Sequence, residues 1–221
     1  TRSGGINPSL PITADPSFEP EENWTYEVGA KTTWLNGRLQ INGAAFVIDW
    51  TDAQFRQILS NFLTTTANSE GLDISGFEVD FIYNPIDNLL ITGGYGYADA
   101  EFADGTLWTG GNAFCSKMKD GSIHQTLPIN CVTSPINGKS YPDMSKKMPK
   151  RSSKTTANLA VEYRRSLPES VMNDLNGFVR LDAFYRSKQY MDEINVAFVP
   201  DRVVMNFSAG IESGNFDLKI W

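Results

Sequence analysis

Apolar and polar residues alternate along this chain with a period of two. In residues 24–34 the even positions carry Trp24, Tyr26, Val28 and Trp34, and the odd positions are mostly polar. Successive side chains of a β-strand point to opposite faces, so this pattern predicts a strand with one apolar and one polar face. Rings at both ends of the apolar face are typical of a strand that crosses a bilayer, where aromatic side chains gather at the two interfaces.

The same alternation predicts about eight strands. They cover residues 24–34, 38–51, 76–83, 89–97, 157–163, 179–186, 203–211 and 216–220. The second strand changes phase, because Leu39 and Ile41 share one face whereas Phe46, Ile48 and Trp50 fall on the other. A β-bulge or a twist near Gly43-Ala44-Ala45 would reconcile the two phases, and we therefore expect one of them there.

The predicted connections alternate between short and long. Short turns are expected at Asn36-Gly37, at residues 84–88, near Pro168 and at Gly214-Asn215, and long polar loops at 52–70, 101–153 and 187–201. Bacterial membrane barrels have short periplasmic turns and long outer loops. The fold class predicted is thus an all-β, transmembrane antiparallel β-barrel, with a long extracellular loop at about 101–153 and residues 1–23 at the end of an outer loop. A soluble β-sandwich also alternates apolar and polar residues, and it remains the alternative.

Composition excludes several classes of protein. The 221 residues are 41% hydrophobic and 20% charged, with no apolar run near the roughly 20 residues of a membrane helix. The net charge of −7 argues against a nucleic-acid partner. Enzyme motifs and cofactor motifs are absent, so no catalytic residue and no cofactor are predicted. Glu78 and Asp80 lie two apart on one strand and are read as wetted lumen residues rather than a glycosidase pair.

Two cysteines, Cys115 and Cys131, lie in the longest polar stretch. In an exported protein they are expected to form a disulfide that closes a loop of about 15 residues and contributes roughly 3 kcal/mol. Two free thiols are the alternative. With the single His124 they are too few for a zinc site, so no metal site is predicted.

Candidate ligand contacts come from the lumen and the loops. Arg180 and Arg186 are expected to project inward with Asp182, to contact a plug inside the barrel, to meet an anionic ligand such as a ferric chelate, or to form cross-strand ion pairs. Trp50, Trp108 and Tyr190, near the outer strand ends, are candidates to stack on a ligand, or else belong to the aromatic girdle or pack within loops. The basic group Lys146, Lys147, Lys150 and Arg151 either meets anionic lipopolysaccharide or a ligand, or is a solvated loop.

Aromatic residues on the apolar positions are assigned to lipid contact. They are Trp24, Tyr26, Trp34, Phe77, Phe81, Tyr83, Tyr95 and Tyr163.

Several segments resemble those of TonB-dependent outer-membrane receptors. Residues 18–31, FEPEENWTYEVGAK, resemble the "PE…YE.G.K" stretch that opens a barrel strand in that family. The next strand resembles "RL.LN.A.F..D", matched by Arg38, Leu39, Ile41, Asn42, Ala44, Phe46 and Asp49. Gly76-Phe77-Glu78 matches a "G.E" strand opening, and residues 93–97 with Asp99-Ala100 match the strand after it. These pieces occur in the family's order over nearly the whole chain.

The resemblance implies that the chain, residues 1–221, is the C-terminal part of a larger barrel. It would supply about eight of roughly 22 strands. No segment resembles the family's plug domain or TonB box, and the strand that ends in Trp221 resembles the penultimate strand, so Trp221 is interpreted as a truncation point.

The function implied is active transport of a scarce nutrient, most often an iron–siderophore complex, across the outer membrane of a Gram-negative bacterium. The partners implied are TonB, the upstream plug domain, outer-membrane lipid and lipopolysaccharide, and a metal chelate or other small nutrient ligand. A soluble secreted β-sandwich that binds carbohydrate and a passive porin are the alternative functions.

Overall fold

A computed structural model describes residues 1–7, 17–58, 64–117, 123–125, 129–135, 138–167, 175–214 and 216–221. Eight long strands dominate it: β1 (Glu22–Trp34), β2 (Leu39–Thr51), β3 (Gly71–Ile86), β4 (Leu89–Phe102), β5 (Thr155–Ser166), β6 (Asn176–Arg186), β7 (Arg202–Ser213) and β8 (Phe216–Ile220). Each pairs antiparallel with its neighbours in sequence, which makes one eight-stranded sheet. The all-β prediction is confirmed.

Short elements complete the described part of the chain. Two 3-10 helices cover Leu35–Gly37 and Thr109–Phe114. Two-stranded pairs join Gly5–Ile6 with Ser17–Phe18, Gln54–Ile58 with Thr64–Asn68, Cys115–Lys117 with Ile123–Gln125, Cys131–Thr133 with Ser140–Pro142, and Gln189–Tyr190 with Phe198–Val199. No helix among the described residues has the length and apolar character needed to cross a membrane.

One face of the sheet is apolar and exposed. Continuous registers align Ala30, Gly43, Val79, Tyr95, Ala157, Tyr185 and Val203 across seven strands. All eight aromatic residues assigned to lipid contact lie on this face, which we call the apolar face. Val203, Met205 and Phe207 are 62%, 63% and 56% exposed, respectively. Within the described residues no second sheet covers them, so the β-sandwich alternative is wrong for this chain.

The opposite face, which we call the polar face, carries most of the charged side chains of the sheet. The row next to the one above aligns Lys31, Asn42, Asp80, Gly94, Asn158, Phe184 and Val204. Near the long loops, the apolar face also becomes polar. There Asp49, Asp73 and Glu101 are direct neighbours on β2, β3 and β4, at the level of Trp24. This carboxylate row marks one border of the apolar face.

The predicted bulge in β2 is wrong. The strand pairs without interruption from Leu39 to Thr51 with both β1 and β3. Phe46, Ile48 and Trp50 instead lie on the polar face, half-buried. This end of the polar face is locally apolar, and the buried Phe102 on it packs against Phe55 of the loop hairpin, with ring centroids 6.4 Å apart. Because this apolar patch is covered by the loop hairpin, the apolar side chains of β2 can lie on the polar face without a bulge.

The predicted turn at residues 84–88 is shorter than expected. β3 continues to Ile86, and the register with β4 shifts between Tyr83 and Ile86. Arg38 supports this segment, because its guanidinium donates to the Pro85 carbonyl at 3.2 Å and pairs with Asp87 at 2.9 Å. The register shift accommodates Pro85 near the end of β3.

The other short turns differ in how far the structure describes them. The turn at Asn36-Gly37 is confirmed, with φ of 56° at Asn36 and 89° at Gly37, in the left-handed region these residue types tolerate. The predicted turn near Pro168 lies outside the described residues, as does Asn215 of the Gly214-Asn215 turn.

The stretch 52–70, predicted as an irregular loop, contains a hairpin of Gln54–Ile58 and Thr64–Asn68. Asn7 pins this hairpin through two hydrogen bonds with the Thr66 backbone, both 2.8 Å long. The first residues of the chain therefore lie at the same end of the sheet as the long loops, which we call the long-loop end. The opposite end is the short-turn end.

Candidate functional site

The polar face is concave at its centre. A trough of about 760 Å³ there is lined by the side chains of Glu27, Lys31, Asn42, Glu78, Asp80 and Asn158. Asn42 donates to Asp80 at 3.2 Å. Gly94 keeps the trough open, because a Cβ at that position would lie 2.8 Å from the Asn158 side-chain oxygen. The sheet thus offers an open, mainly acidic hollow on the face away from the apolar side chains.

An ion-pair network occupies the polar face toward the short-turn end. Arg180 binds Asp182 at 2.7 Å and Glu162 at 3.3 Å. Arg164 binds the same Glu162 at 3.1 Å and also pairs with Glu212. The geometry favours the cross-strand ion-pair interpretation of Arg180, since its guanidinium is already satisfied by two carboxylates.

Arg186 lies in a different environment at the long-loop end. It is the direct cross-strand partner of Arg202, with Thr156 on its other side. Within the described part of the chain, neither guanidinium has a hydrogen bond or an ion pair. Like charges placed directly opposite each other on adjacent strands destabilise a sheet. An unpaired arginine pair of this kind suits an anionic group that would bridge the two.

A cavity of about 450 Å³ lies beside this arginine pair. The exposed apolar side chains of Phe184 and Val204 form its floor, and Thr156 and Asn158 add polar groups. The cavity therefore combines positive charge, hydrogen-bonding groups and an apolar surface. Sequence reasoning selected Arg186 and missed Arg202, which became apparent only through the pairing of β6 with β7.

The loops at this end share one small core. Cys115 and Cys131 are joined by a disulfide, with 5.8 Å between their Cα atoms. The disulfide lies in a buried cluster with Ile129 and with Ile194 from the following loop. Trp108 packs against this cluster. Two loops that are far apart in sequence are thereby packed into one body.

Hydrogen bonds from side chains and from the backbone also join the same two loops. The Asn195 side chain exchanges two hydrogen bonds with the Met148 backbone, each 2.8 Å long. The Arg151 backbone N–H donates to the Tyr190 carbonyl at 2.7 Å. We call residues 103–154 and 187–201, as far as they are described, the loop block.

The basic group of the loop block does not form one free patch. Its members are Lys146, Lys147, Lys150 and Arg151. Lys146 lies 3.7 Å from Asp104, and Lys150 pairs with Glu193. Among the described residues the other two members form no ion pair. Contact of this group with lipopolysaccharide or a ligand stays a prediction.

The three aromatic candidates are separated in the structure. Trp50 lies on the polar face and Trp108 in the loop core, and the indole N–H of each is buried without an acceptor among the described residues. Tyr190 packs edge-on against Phe198 at 6.3 Å, with the Lys188 ammonium 4.5 Å from its ring centroid. Their role in ligand stacking stays a prediction. No group of metal-ligating side chains occurs in the part of the chain that the structure describes.

Asp143 is the titrating group whose loop contacts are clearest. Partial burial opposes its ionisation, but hydrogen bonds from the Ser145 side chain and backbone and from Asn130 outweigh burial and lower the pKa of Asp143 below 3.8. The Ser145 N–H and the Asn130 amide donate to it at 2.9 Å each.

These contacts predict an acid-sensitive loop block. A carboxyl whose pKa is depressed by folding stabilises the fold above its unfolded pKa, here 3.8, and loses that contribution as the pH falls through the folded value. We expect protease resistance of the loop block to drop in that acid range, and Asp143→Asn to flatten the pH dependence. Limited proteolysis across the pH range measures this. An unchanged acid transition in Asp143→Asn would contradict the assignment.

The geometry defines a class of protein: an antiparallel sheet with one exposed, aromatic-rich apolar face, one concave charged face and its long loops at one end. The family described as TonB dependent receptor-like, beta-barrel, matches residues 2–220. The chain belongs to this family, which comprises outer-membrane receptors of Gram-negative bacteria rather than enzymes.

Individual proteins that the chain resembles are named as receptors of the same kind. The chain is 28% identical over 204 residues to the "Probable TonB-dependent siderophore receptor PiuA" of Acinetobacter baumannii, covering 92% of this chain and 23% of that protein. It resembles the crystal structure of the ferric yersiniabactin uptake receptor FyuA from Yersinia pestis, with a TM-score of 0.62, 14% identity, and coverage of 96% of this chain and 26% of that one. It also resembles BauA, the ferric preacinetobactin receptor of Acinetobacter baumannii, with a TM-score of 0.61, 19% identity and coverage of 96% and 26%. The chain spans about a quarter of the length of these relatives.

Proposed function

We propose that this chain forms part of the wall and outer loops of an outer-membrane receptor that takes up an anionic ferric siderophore, with energy supplied through TonB. The apolar face contacts lipid, and the polar face lines an aqueous interior that holds the receptor's plug domain. The long-loop end faces the outside of the cell.

The faces of the sheet support this orientation. An exposed surface of Val, Phe, Met and Trp side chains is costly in water and stable in hydrocarbon. The charged network around Glu162 and Arg180 lies on the opposite face, as expected of a wetted lumen. The loop block lies at the long-loop end of the sheet, and bacterial barrels have their long loops on the outer side.

The observation that carries the ligand class is the unpaired Arg186–Arg202 pair. Two guanidinium groups at the outer mouth, next to an apolar floor, fit a ligand that combines negative charge with aromatic or aliphatic surface. Anionic siderophore complexes have this chemistry, and proteins similar to this chain are named as a probable siderophore receptor, a ferric yersiniabactin uptake receptor and a ferric preacinetobactin receptor. Uptake is binding followed by translocation, so no covalent step is required of this chain.

Radioactive iron uptake tests the proposal. The complete gene product is expressed in a strain that lacks its own siderophore receptors, and uptake of a multiply anionic ferric tris-catecholate is compared with that of a neutral ferric tris-hydroxamate. We expect uptake of the anionic complex that stops when the proton-motive force is collapsed. Uptake that continues without the proton-motive force identifies a passive porin, and absence of uptake of either complex overturns the siderophore proposal.

The arginine pair gives a sharper test of the ligand class. Arg186→Gln and Arg202→Gln should each weaken binding of the anionic complex about tenfold, because a charge-assisted hydrogen bond contributes roughly 1.5–3 kcal/mol and exposure reduces that value. Lys219→Gln, on the same polar face but at the short-turn end, is the matched control and should leave affinity unchanged. If all three variants bind the anionic complex with equal affinity, the arginine pair is not part of the binding site. Binding is measured by fluorescence quenching in detergent.

A further inference from the structure

The apolar face carries a groove near its short-turn end. The groove has a volume of about 530 Å³ and is lined almost entirely by apolar side chains of β5 to β8, among them Val179, Ile211 and Leu218. Gly177 and Ala209 form its bottom, because their missing or minimal side chains leave space between larger neighbours. An apolar groove of this kind can hold an acyl chain.

One cation lies at the rim of this groove. Arg165 shares a row of the apolar face with Gly177, Ile211 and Leu218. It is exposed, and within the described residues it has no ion pair or hydrogen bond. The adjacent Arg164 points to the opposite face and is bound by two carboxylates. Among the residues that the structure describes, the sheet thus neutralises Arg164 and leaves Arg165 on the apolar face without a counter-ion.

A second polar group lies on the same face. Tyr163 is two residues from Arg165, about 7 Å along the strand, and it also lines the groove. A tyrosine and an arginine at the same end of an apolar face provide a hydroxyl and a guanidinium to one anionic headgroup. Phosphate is the anion that a guanidinium fork binds best, together with carboxylate.

We propose that Arg165, Tyr163 and the groove bind one phospholipid of the periplasmic leaflet, with the phosphate at Arg165 and an acyl chain along Gly177 and Ala209. The inference rests on the proposed function for its orientation, since the short-turn end must face the periplasm. Charge complementarity selects the occupant: an unpaired cation at the water boundary of a hydrocarbon-facing groove matches a lipid with an anionic headgroup.

Native mass spectrometry of the complete gene product tests this site. The protein is purified in detergent with added phosphatidylglycerol, or with diacylglycerol of the same acyl chains as the phosphate-free probe. We expect one retained phosphatidylglycerol and weaker retention of diacylglycerol. Arg165→Gln should reduce retention of phosphatidylglycerol about tenfold, and Gly177→Leu, which fills the groove, should reduce retention of both lipids. Arg164→Gln, on the opposite face, is the control and should retain phosphatidylglycerol as the unchanged protein does.

Two results would overturn the site. One is equal retention in Arg165→Gln and the unchanged protein, and the other is equal retention of diacylglycerol and phosphatidylglycerol by the unchanged protein. Siderophore uptake by cells that produce the same protein separates the proposals: uptake by a protein that retains no phosphatidylglycerol rejects the lipid site alone, whereas absence of uptake of both ferric complexes rejects the proposed function on which the site depends.

Discussion

Leu159→Arg should destabilise the membrane-inserted protein by up to about 2–4 kcal/mol, the cost of an arginine at the bilayer midplane, while Asn158→Arg should change its stability little. Leu159 is on the apolar face and 45% exposed, and its row runs through Gly93, Phe81 and Ile41 to Thr32, one step inside the row of Trp34. An arginine there must carry its charge into hydrocarbon. Asn158 is the preceding residue of the same strand and faces the polar trough, where water solvates an added guanidinium.

Urea unfolding of the complete gene product in phosphatidylcholine vesicles measures both variants. The pair is matched in depth, strand and substituted side chain, so the difference between them reports which face contacts lipid. Equal destabilisation by the two variants, or greater destabilisation by Asn158→Arg, would contradict the orientation of the sheet on which the proposed function depends.

Removing the Cys115–Cys131 disulfide should loosen both parts of the loop block at once. The bridged residues are 16 apart, and a closed loop of that size contributes about 3 kcal/mol in the chain-entropy description. Because Ile194 packs on the disulfide, the loss should extend to residues 187–201, which carry no cysteine. The double variant Cys115→Ser/Cys131→Ser avoids leaving a reactive thiol.

Hydrogen exchange followed by mass spectrometry measures this coupling. We expect faster amide exchange throughout the described loop block and unchanged exchange in β5 and β6. Val132→Ser, an exposed position beside the disulfide, is the control and should leave exchange unchanged. Protection that persists in residues 187–201 of the double variant would show that the two loops are independent.

The regular strands were predictable from local alternation. The two faces of each strand have different surroundings, so apolar and polar side chains alternate along it. The period of two in β1 places its rings without reference to any neighbour. β2 shows the limit of this reasoning: Phe46, Ile48 and Trp50 are apolar on the polar face because that end is covered by a loop hairpin. Coverage of this kind depends on residues distant in sequence, so the pattern alone suggested a bulge that does not exist.

The candidate site was less predictable because it depends on pairing. Arg180 and Arg186 are equivalent in the alternation of β6, and sequence reasoning could not separate them. The registers do: Arg180 has Glu162 on the neighbouring strand, whereas Arg186 faces another arginine. A prediction of the pairing of β6 with β7 would have been sufficient to find Arg202.

The borders of the apolar face limit the thickness of the bilayer that this sheet can match. Trp24 and Trp34 are ten residues apart on β1, which is about 33 Å along the strand at 3.3 Å per residue. With the usual barrel tilt of about 40°, the proposed lipid contact of the apolar face would require a hydrocarbon slab about 25 Å high. The carboxylates Asp49, Asp73 and Glu101 prevent that slab from being extended at one edge. A thicker bilayer must therefore thin around the protein, and the resulting mismatch energy would favour membranes with short acyl chains.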